Sequence, residues 1–216
     1  MSTREIDVDG LHPMDRYKLM IGAIVPRPIA FVSSVSPDGK HNLAPYSFFN
    51  GVGAEPMLVM FCPANGRAGE IKDSMINALP PEEGGTGCFA VNIASATYER
   101  EVAAAGEALQ YGESEFDLTG LTPAPCQKIA APRLAESPFG FECETERVIR
   151  FTNDAPGGAN LVIGRVVHVW AAEGTVNERG HVDPEKLAAI GRMGGAAYVR
   201  TIDRFDLPRG RAALDG

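Results

Sequence analysis

Three strand candidates follow one another with almost no intervening chain between Val25 and Cys62, and that crowding limits the fold more than any other feature. Pro28 to Val35 is apolar and β-branched. It ends at Ser36-Pro37-Asp38-Gly39, where proline pre-sets a turn and Asp-Gly supplies the positive φ of a tight hairpin. The return strand runs from about His41 through Tyr46. The next residues, Ser47-Phe48-Phe49-Asn50-Gly51-Val52-Gly53, are too polar and glycine-rich for a plain core strand. Pro56 opens a third run, Met57 to Cys62, apolar throughout and so expected to be buried on both faces. Neighbouring strands thus bring Ser33, Ser34, Ser47 and Asn50 beside glycine-rich backbone. A flat ligand with a polar edge needs that kind of surface, because its ring must reach main-chain N–H groups without a Cβ in the way.

The remaining chain reads as mainly β with flanking helices. Helices are expected over Asp15–Gly22, over Ala68–Leu79 with apolar Ile71, Met75, Ile76 and Leu79, and from a Ser95 or Thr97 cap to about Leu109. A further short helix starts at Asp183-Pro184 and ends at Gly191. Cys88–Ala94, Phe139–Phe151, Ala159–Ala172, a brief Thr175-Val176 and a last Tyr198–Phe205 read as strands, and Gln110–Leu134 as a long surface loop. The order meanders instead of alternating βαβα, and no G-x-G-x-x-G follows a strand, which disfavours a Rossmann domain.

With 216 residues and 44% hydrophobic content, the chain can bury one full core, and a single domain over 1–216 is the simplest count. A net charge of −8 without basic runs argues against nucleic acid and anionic membrane as partners. Neither a signal peptide nor an apolar run long enough to span a bilayer is visible, so a soluble, cytoplasmic protein is expected. Cys62, Cys88, Cys126 and Cys143 are scattered and read as reduced, mostly buried thiols. The four histidines lack ligand spacing, so no metal site is expected.

PRPIAFVSSVSPDGKHNLAPYSFFNGV resembles the signature of the flavin reductase-like family, with the FMN-binding split β-barrel fold, and especially its flavoredoxin-like branch. The resemblance continues through Lys72-Asp73-Ser74, Phe89-Ala90-Val91-Asn92, Gly120-Leu121-Thr122-Pro123, Ala135-Glu136-Ser137-Pro138 and Arg192-Met193-Gly194-Gly195, and so spans roughly Pro26 to Pro208. It departs at Asn77–Gly85, a longer and proline-interrupted connection. What it implies is bound FMN, NADH or NADPH as co-substrate, and a homodimer with flavin near the interface. Electrons would pass on to free flavin, an oxygenase partner or another acceptor. Two other readings are an FMN-binding electron-transfer protein reduced by a protein donor, and a non-catalytic flavin-binding or structural dimer.

The resemblance also suggests site residues. Lys72 and Ser74, with Arg67 a few residues earlier, would donate to the FMN phosphate; without it they are a solvated helix start. Ser33 and Ser34 would border the flavin, or are plain strand hydroxyls. Ser47, Phe48, Asn50 and Val52 would run beneath the ring edge, with one of Phe48 and Phe49 turned into the core. Arg192 would lie close to the flavin or the dimer seam, or only complement a helix end. Arg27 faces the ligand or a neighbouring subunit. His168 and Asn92 are each either functional or structural. Hydride transfer to a flavin needs alignment and no protein acid, base or nucleophile, so no catalytic residue is expected.

Overall fold

The computed structural model describes residues 2–110 and 113–214. Residues 111–112, part of the expected Gln110–Leu134 loop, therefore lie outside the described chain. The chain enters through α1 (Pro13–Ala23), with Pro at its first position and the His12 side chain accepting from the Met14 amide. Five strands follow in quick succession, where the opening stretch predicts three: β1 (Arg27–Pro28), β2 (Ala30–Val35), β3 (His41–Tyr46), β4 (Phe49–Ala54) and β5 (Met57–Phe61). Then come α2 (Asp73–Ala78), β6 (Cys88–Ile93), α3 (Glu99–Ala104), α4 (Glu115–Thr119) and the two-residue strands β7 (Pro123–Ala124) and β8 (Arg133–Leu134). Two long strands, β9 (Phe139–Arg150) and β10 (Asn160–Ala171), precede α5 (Pro184–Leu187), β11 (Ile190–Arg192) and β12 (Tyr198–Arg200).

One seven-stranded sheet dominates, in the order β3-β2-β6-β9-β10-β5-β4, with every neighbouring pair antiparallel. Its two edges are β3 and β4, consecutive in the chain and joined only by Ser47 and Phe48. The sheet curls until those edges approach. Across the interior, the Tyr46 ring of β3 lies 5.1 Å from Phe61 of β5, which in turn lies 5.0 Å from Phe89 of β6. The result is a barrel left open along one seam.

Ala30, Val32, Val59, Phe61, Phe89, Val91, Cys143 and Val162 fill the barrel, with Met75 and Ala78 of α2 closing it. The outer face of β2 and β3 is covered too: Phe31 and Leu43 pack against Tyr98, Val102, Phe116, Leu121 and Leu134. Each fully buried phenylalanine contributes about 1.5–3 kcal/mol. β2 is consequently buried along its whole length.

Several elements differ from expectation, each for a local reason. The polar, glycine-rich stretch after Tyr46 forms the edge strand β4, mostly exposed, with a bulge between Gly51 and Gly53 absorbing the irregularity in its pairing with β5. β5 is not buried on both faces, since Met57 pairs with the sheet edge and stays 42% exposed. α2 starts only at Asp73, because Gly66–Glu70 forms a closed turn with the Glu70 carboxylate on the Ala68 amide. Ser95 caps only a 3₁₀ turn, and α3 stops at Ala104. The long loop contains α4, capped by Ser114 and ended by Gly120 at φ 70°. Asp183 caps α5 as expected, but Ala188 at φ 44° ends it after one turn. The strand from Tyr198 is three residues long. No helix among the described residues is long and apolar enough to cross a membrane, and none of their His, Cys, Asp and Glu side chains group as a metal site.

Candidate functional site

Beside the exit of β3 lies a cleft of about 590 Å³. Five elements that are distant in sequence enclose it: Tyr17 of α1, Ile29 before β2, Pro45 of β3 with Ser47 after it, Val102 and Ala103 of α3, and Arg192 and Tyr198 of β11 and β12. The alternation of β3 explains the placement. Tyr46 turns into the barrel, so Pro45 and Ser47 turn outward into the cleft. The lining holds one cation, two tyrosine rings and no carboxylate. Arg192 lies over the face of Tyr198, 4.4 Å from its centroid, and is further fixed by donating to the carbonyls of Gly195 and Ala196.

Behind the cleft, Arg27 is buried. It donates to the Ile21, Ile24 and Met193 carbonyls, and its Nε reaches Ser47 Oγ at 3.3 Å. Phe48 packs beside it, 6.0 Å from the guanidinium and 6.4 Å from the Tyr17 ring. Burial lowers the Arg27 pKa; Tyr17 opposes that shift and Arg192 adds to it, which places a second positive group behind the cleft wall. The structure thus gives Arg27 a scaffold role that the sequence leaves open between ligand and neighbouring subunit.

Of the residues suggested by sequence, Ser47 and Arg192 come together in the cleft, with Phe48 supporting its wall. Asn50 is exposed on β4, where its Oδ1 accepts from the Gly51 amide, and Val52 on the same strand is 53% exposed. Lys72 and Ser74 lie around the start of α2, on the barrel side of β3. Ser74 Oγ accepts from Asn42 at 2.8 Å and from Tyr46 at 3.1 Å, so this group is linked to the cleft through one strand. The Lys72 side chain makes no hydrogen bond or ion pair among the described residues and lies in electrostatic range of Glu70, Asp73 and Glu115. Burial holds the Asp73 carboxyl above its usual range, with Lys72 pulling it back. Arg67 is exposed on the preceding loop, apart from the cleft lining.

Ser33 and Ser34 lie inside the fold. Both are fully buried in β2. Ser33 donates to Pro132 O at 2.5 Å and accepts from Asn92, while Ser34 accepts from Asn77 of α2. With no accessible surface, these hydroxyls join layers of the fold. Ser74 is equally buried, so it orients Tyr46 and Asn42 instead of presenting a free hydroxyl. Asn92 is structural: it donates to Phe31 O and accepts from the Leu134 amide. Sequence reasoning missed Tyr17 and Tyr198. Neither carries a local signal, because α1 and β12 meet only in the folded chain.

This cleft suits a flat, electron-poor ring with a negatively charged tail: aromatic and apolar walls, a cation, no opposing acid and open backbone along the seam. Its donors therefore fit a flavin nucleotide. The model of the flavin reductase-like domain matches residues 21–186. Nitrilotriacetate monooxygenase component B from Bacillus cereus is similar in structure, with TM-score 0.87 and 36% identity over 96% of this chain and 100% of that one. A Pseudomonas fluorescens 2-nitrobenzoate 2-nitroreductase gives TM-score 0.84 and 29% identity, covering 96% and 97%. An uncharacterised protein of Aquifex aeolicus is 34% identical over 204 residues, which is 94% of this chain and 96% of the relative. The flavoredoxin of Desulfovibrio vulgaris (Miyazaki F), at 18% identity and TM-score 0.69, shares the fold. The open seven-stranded barrel is thus a split barrel of the flavin-binding kind, and the chain belongs to the flavin reductase-like family.

Proposed function

We propose that the protein is an FMN-dependent oxidoreductase that accepts hydride from NADH or NADPH and passes electrons to a downstream acceptor. The observation that carries this reading is the carboxylate-free cleft of tyrosines and Arg192 beside the open seam of the barrel. Bound flavin supplies the hydride and electron chemistry. The chain's own residues bind and align. Arg192 and the buried Arg27 make the cleft positive, which favours the charge that a reduced flavin gathers. Lys72, with no acid bonded to it, is our candidate for the FMN phosphate, with Arg67 as the second cation. Asn50 and Val52 lie on the exposed β4 edge, where a second copy would cover them along with Met57; this supports a homodimer with flavin near the interface. Similarity to a monooxygenase component B supports an oxygenase as the electron acceptor.

Anaerobic titration with NADH and with NADPH tests the reading. The FMN-loaded protein is expected to bleach rapidly with one of them. Bleaching only with a reduced protein donor would instead identify an electron-transfer module, and a colourless protein that ignores saturating FMN would end both readings. Lys72→Ala is expected to weaken FMN binding about 10–100-fold, the worth of a charge-assisted bond to phosphate, while riboflavin binding barely changes. Equal losses for the two ligands would remove Lys72 from the phosphate site.

A further inference from the structure

On the outer face of the sheet, beneath residues 126–137, lies a second cavity of about 320 Å³ that shares no lining residue with the cleft. Sheet register builds its floor. Across β9 and β10, Glu142 pairs with His168 and Gly140 with Trp170, so all four present one face. The Trp170 ring lies against Gly140, where a Cβ would come within 2.0 Å of Cζ2. The chain from Gln127 to Ser137 forms the roof.

That roof is held at three points. The Glu142 carboxylate, 1% exposed, accepts from the Gln127 amide at 2.9 and 3.1 Å and from the Lys128 amide at 2.7 Å. Ser33 holds Pro132, and Asn92 holds Leu134. Nδ1 of His168 lies 3.0 Å from Glu142 Oε1, within hydrogen-bond distance. Glu142 therefore has its lone pairs occupied, and its charge is compensated by directed donors as a buried charge requires.

The other polar groups of the lining residues are mostly donors without acceptors. The half-buried guanidinium of Arg133 makes no hydrogen bond or ion pair among the described residues and stands 6.0 Å from the Trp170 ring. Nε1 of Trp170 is buried and has no acceptor. Such an orphaned donor costs about 1–3 kcal/mol. The Gln127 side-chain amide is also unbonded among the described residues. Ser137, by contrast, is occupied, donating to Phe139 O at 2.8 Å. Ala135, Ala171 and Ala172 supply small apolar surface.

We infer that this outer cavity binds a small organic monocarboxylate, its carboxylate on the Arg133 fork and its apolar body against Trp170 and the alanines. Charge selects the class. A planar guanidinium matches a carboxylate in two parallel bonds, whereas a dianionic phosphate would bring a second negative charge toward Glu142 with no further cation to meet it. Size selects the scale. At about 30 Å³ per water, the cavity equals roughly ten waters, enough for a ligand of about ten heavy atoms and too small for a nucleotide. A carboxylate bound here does not compete with flavin, because the two sites share no wall, and the inference stands whether or not the flavin reading holds.

Trp170 is the only tryptophan of the chain and lines this cavity, so its fluorescence reports a ligand bound here. The intact protein is titrated with cyclohexanecarboxylate, with the neutral isostere cyclohexanecarboxamide and with inorganic phosphate. A saturable change in Trp170 emission is expected with the carboxylate, and none with the amide or phosphate. In Arg133→Gln, checked for wild-type circular dichroism, carboxylate affinity is expected to fall about 10–100-fold. No saturable signal with the carboxylate, an equal response to the amide, or unchanged affinity in Arg133→Gln would each overturn the assignment. A response to phosphate in place of the carboxylate would overturn the ligand class. The carboxylate-against-amide comparison needs no variant, so a misfolded Arg133→Gln protein leaves the test intact.

Discussion

Replacing Arg27 with methionine tests whether one buried cation assembles the cleft. Its guanidinium donates to the carbonyls of Ile21 at 2.6 Å, Ile24 at 2.8 Å and Met193 at 3.0 Å, and Nε reaches Ser47 Oγ. It thereby ties the end of α1 to the exit of β3 and to the residue after β11. Methionine keeps most of the stem and removes every donor. Bonds to a charged donor are worth up to about 3 kcal/mol, but the freed carbonyls recover some hydration, so each loss costs about 1–2 kcal/mol and the three together about 3–6 kcal/mol. Burying the charge is itself unfavourable, as the lowered Arg27 pKa records. Relief of that cost leaves a net loss of about 2–4 kcal/mol. For a chain of this length, with about 2–4 °C per kcal/mol, Tm is expected to fall by about 5–15 °C. Thermal unfolding followed by far-UV circular dichroism measures it, and an FMN titration alongside is expected to show weaker binding, because Ser47 and Arg192 lose their common anchor. Arg27→Lys recovers only part, since one ammonium cannot spread its donors over carbonyls on three segments. A Tm within about 2 °C of wild type would refute the reasoning, because that margin is worth less than a single hydrogen bond. A large Tm loss with unchanged FMN affinity would separate Arg27 from the cleft.

Glu115 gives a pH-dependent prediction. Its carboxylate accepts from the Leu43 amide at 2.9 Å, and burial, the largest cause, holds its pKa above the ordinary value while that bond opposes the shift. The folded state then keeps the proton to higher pH than the unfolded one. Stability from this group is therefore greatest below the unfolded pKa of about 4.3 and declines as pH rises through the folded value. Glu115→Gln is expected to remove the decline, so the variant gains on wild type in urea midpoint between about pH 4 and about pH 7; a gap that stays constant across that window would discredit the sign. Gly140→Ala places a Cβ 2.0 Å from Trp170 Cζ2 and 2.5 Å from the Val91 carbonyl, one neighbour a ring and the other backbone. Overpacking of this kind costs about 2–3 kcal/mol, and a shifted Trp170 emission should accompany the lower Tm; wild-type stability and emission together would mean that the ring does not lie there in solution.

What the sequence makes legible is local chemistry. The turn after β2 is plain because Pro37, Asp38 and Gly39 impose it, and Gly39 indeed takes φ 82°. β3 runs from His41 to Tyr46 as read, because both of its ends carry their own signals. The setting of Ser33 and Ser34 is hidden in the sequence for a physical reason. A serine in a strand looks like an outward hydroxyl until one knows that both faces are covered, here by Pro132 on one side and Asn77 on the other. Those partners lie 99 and 43 residues away. The cleft has the same limitation: Tyr17, Ser47 and Arg192 are individually ordinary, and only the meeting of α1, β3 and β11 gives them a common wall. Arg27 stands between two prolines and so looks pre-organised for an external partner, yet three of its four bonds go to backbone carbonyls that no side-chain pattern advertises.

The two residues between β3 and β4 link these observations. Strands joined by a two-residue link ordinarily fold back as a tight hairpin and pair with each other. β3 and β4 do not; they form opposite edges of the sheet. Neither Ser47 nor Phe48 offers the positive φ that such a turn demands, and both are held elsewhere. The Ser47 hydroxyl meets Arg27, the Phe48 ring packs on Tyr17, and the Phe48 carbonyl accepts from the Cys62 amide at 2.9 Å. The facing edges of β3 and β4 therefore keep backbone groups that the sheet does not use. An edge left unpaired in this way exposes a protein to unwanted strand pairing unless something covers it. A flat ring carrying donors and acceptors along one side is suited to cover it, and this ties the flavin reading to the topology of the barrel as well as to any one side chain.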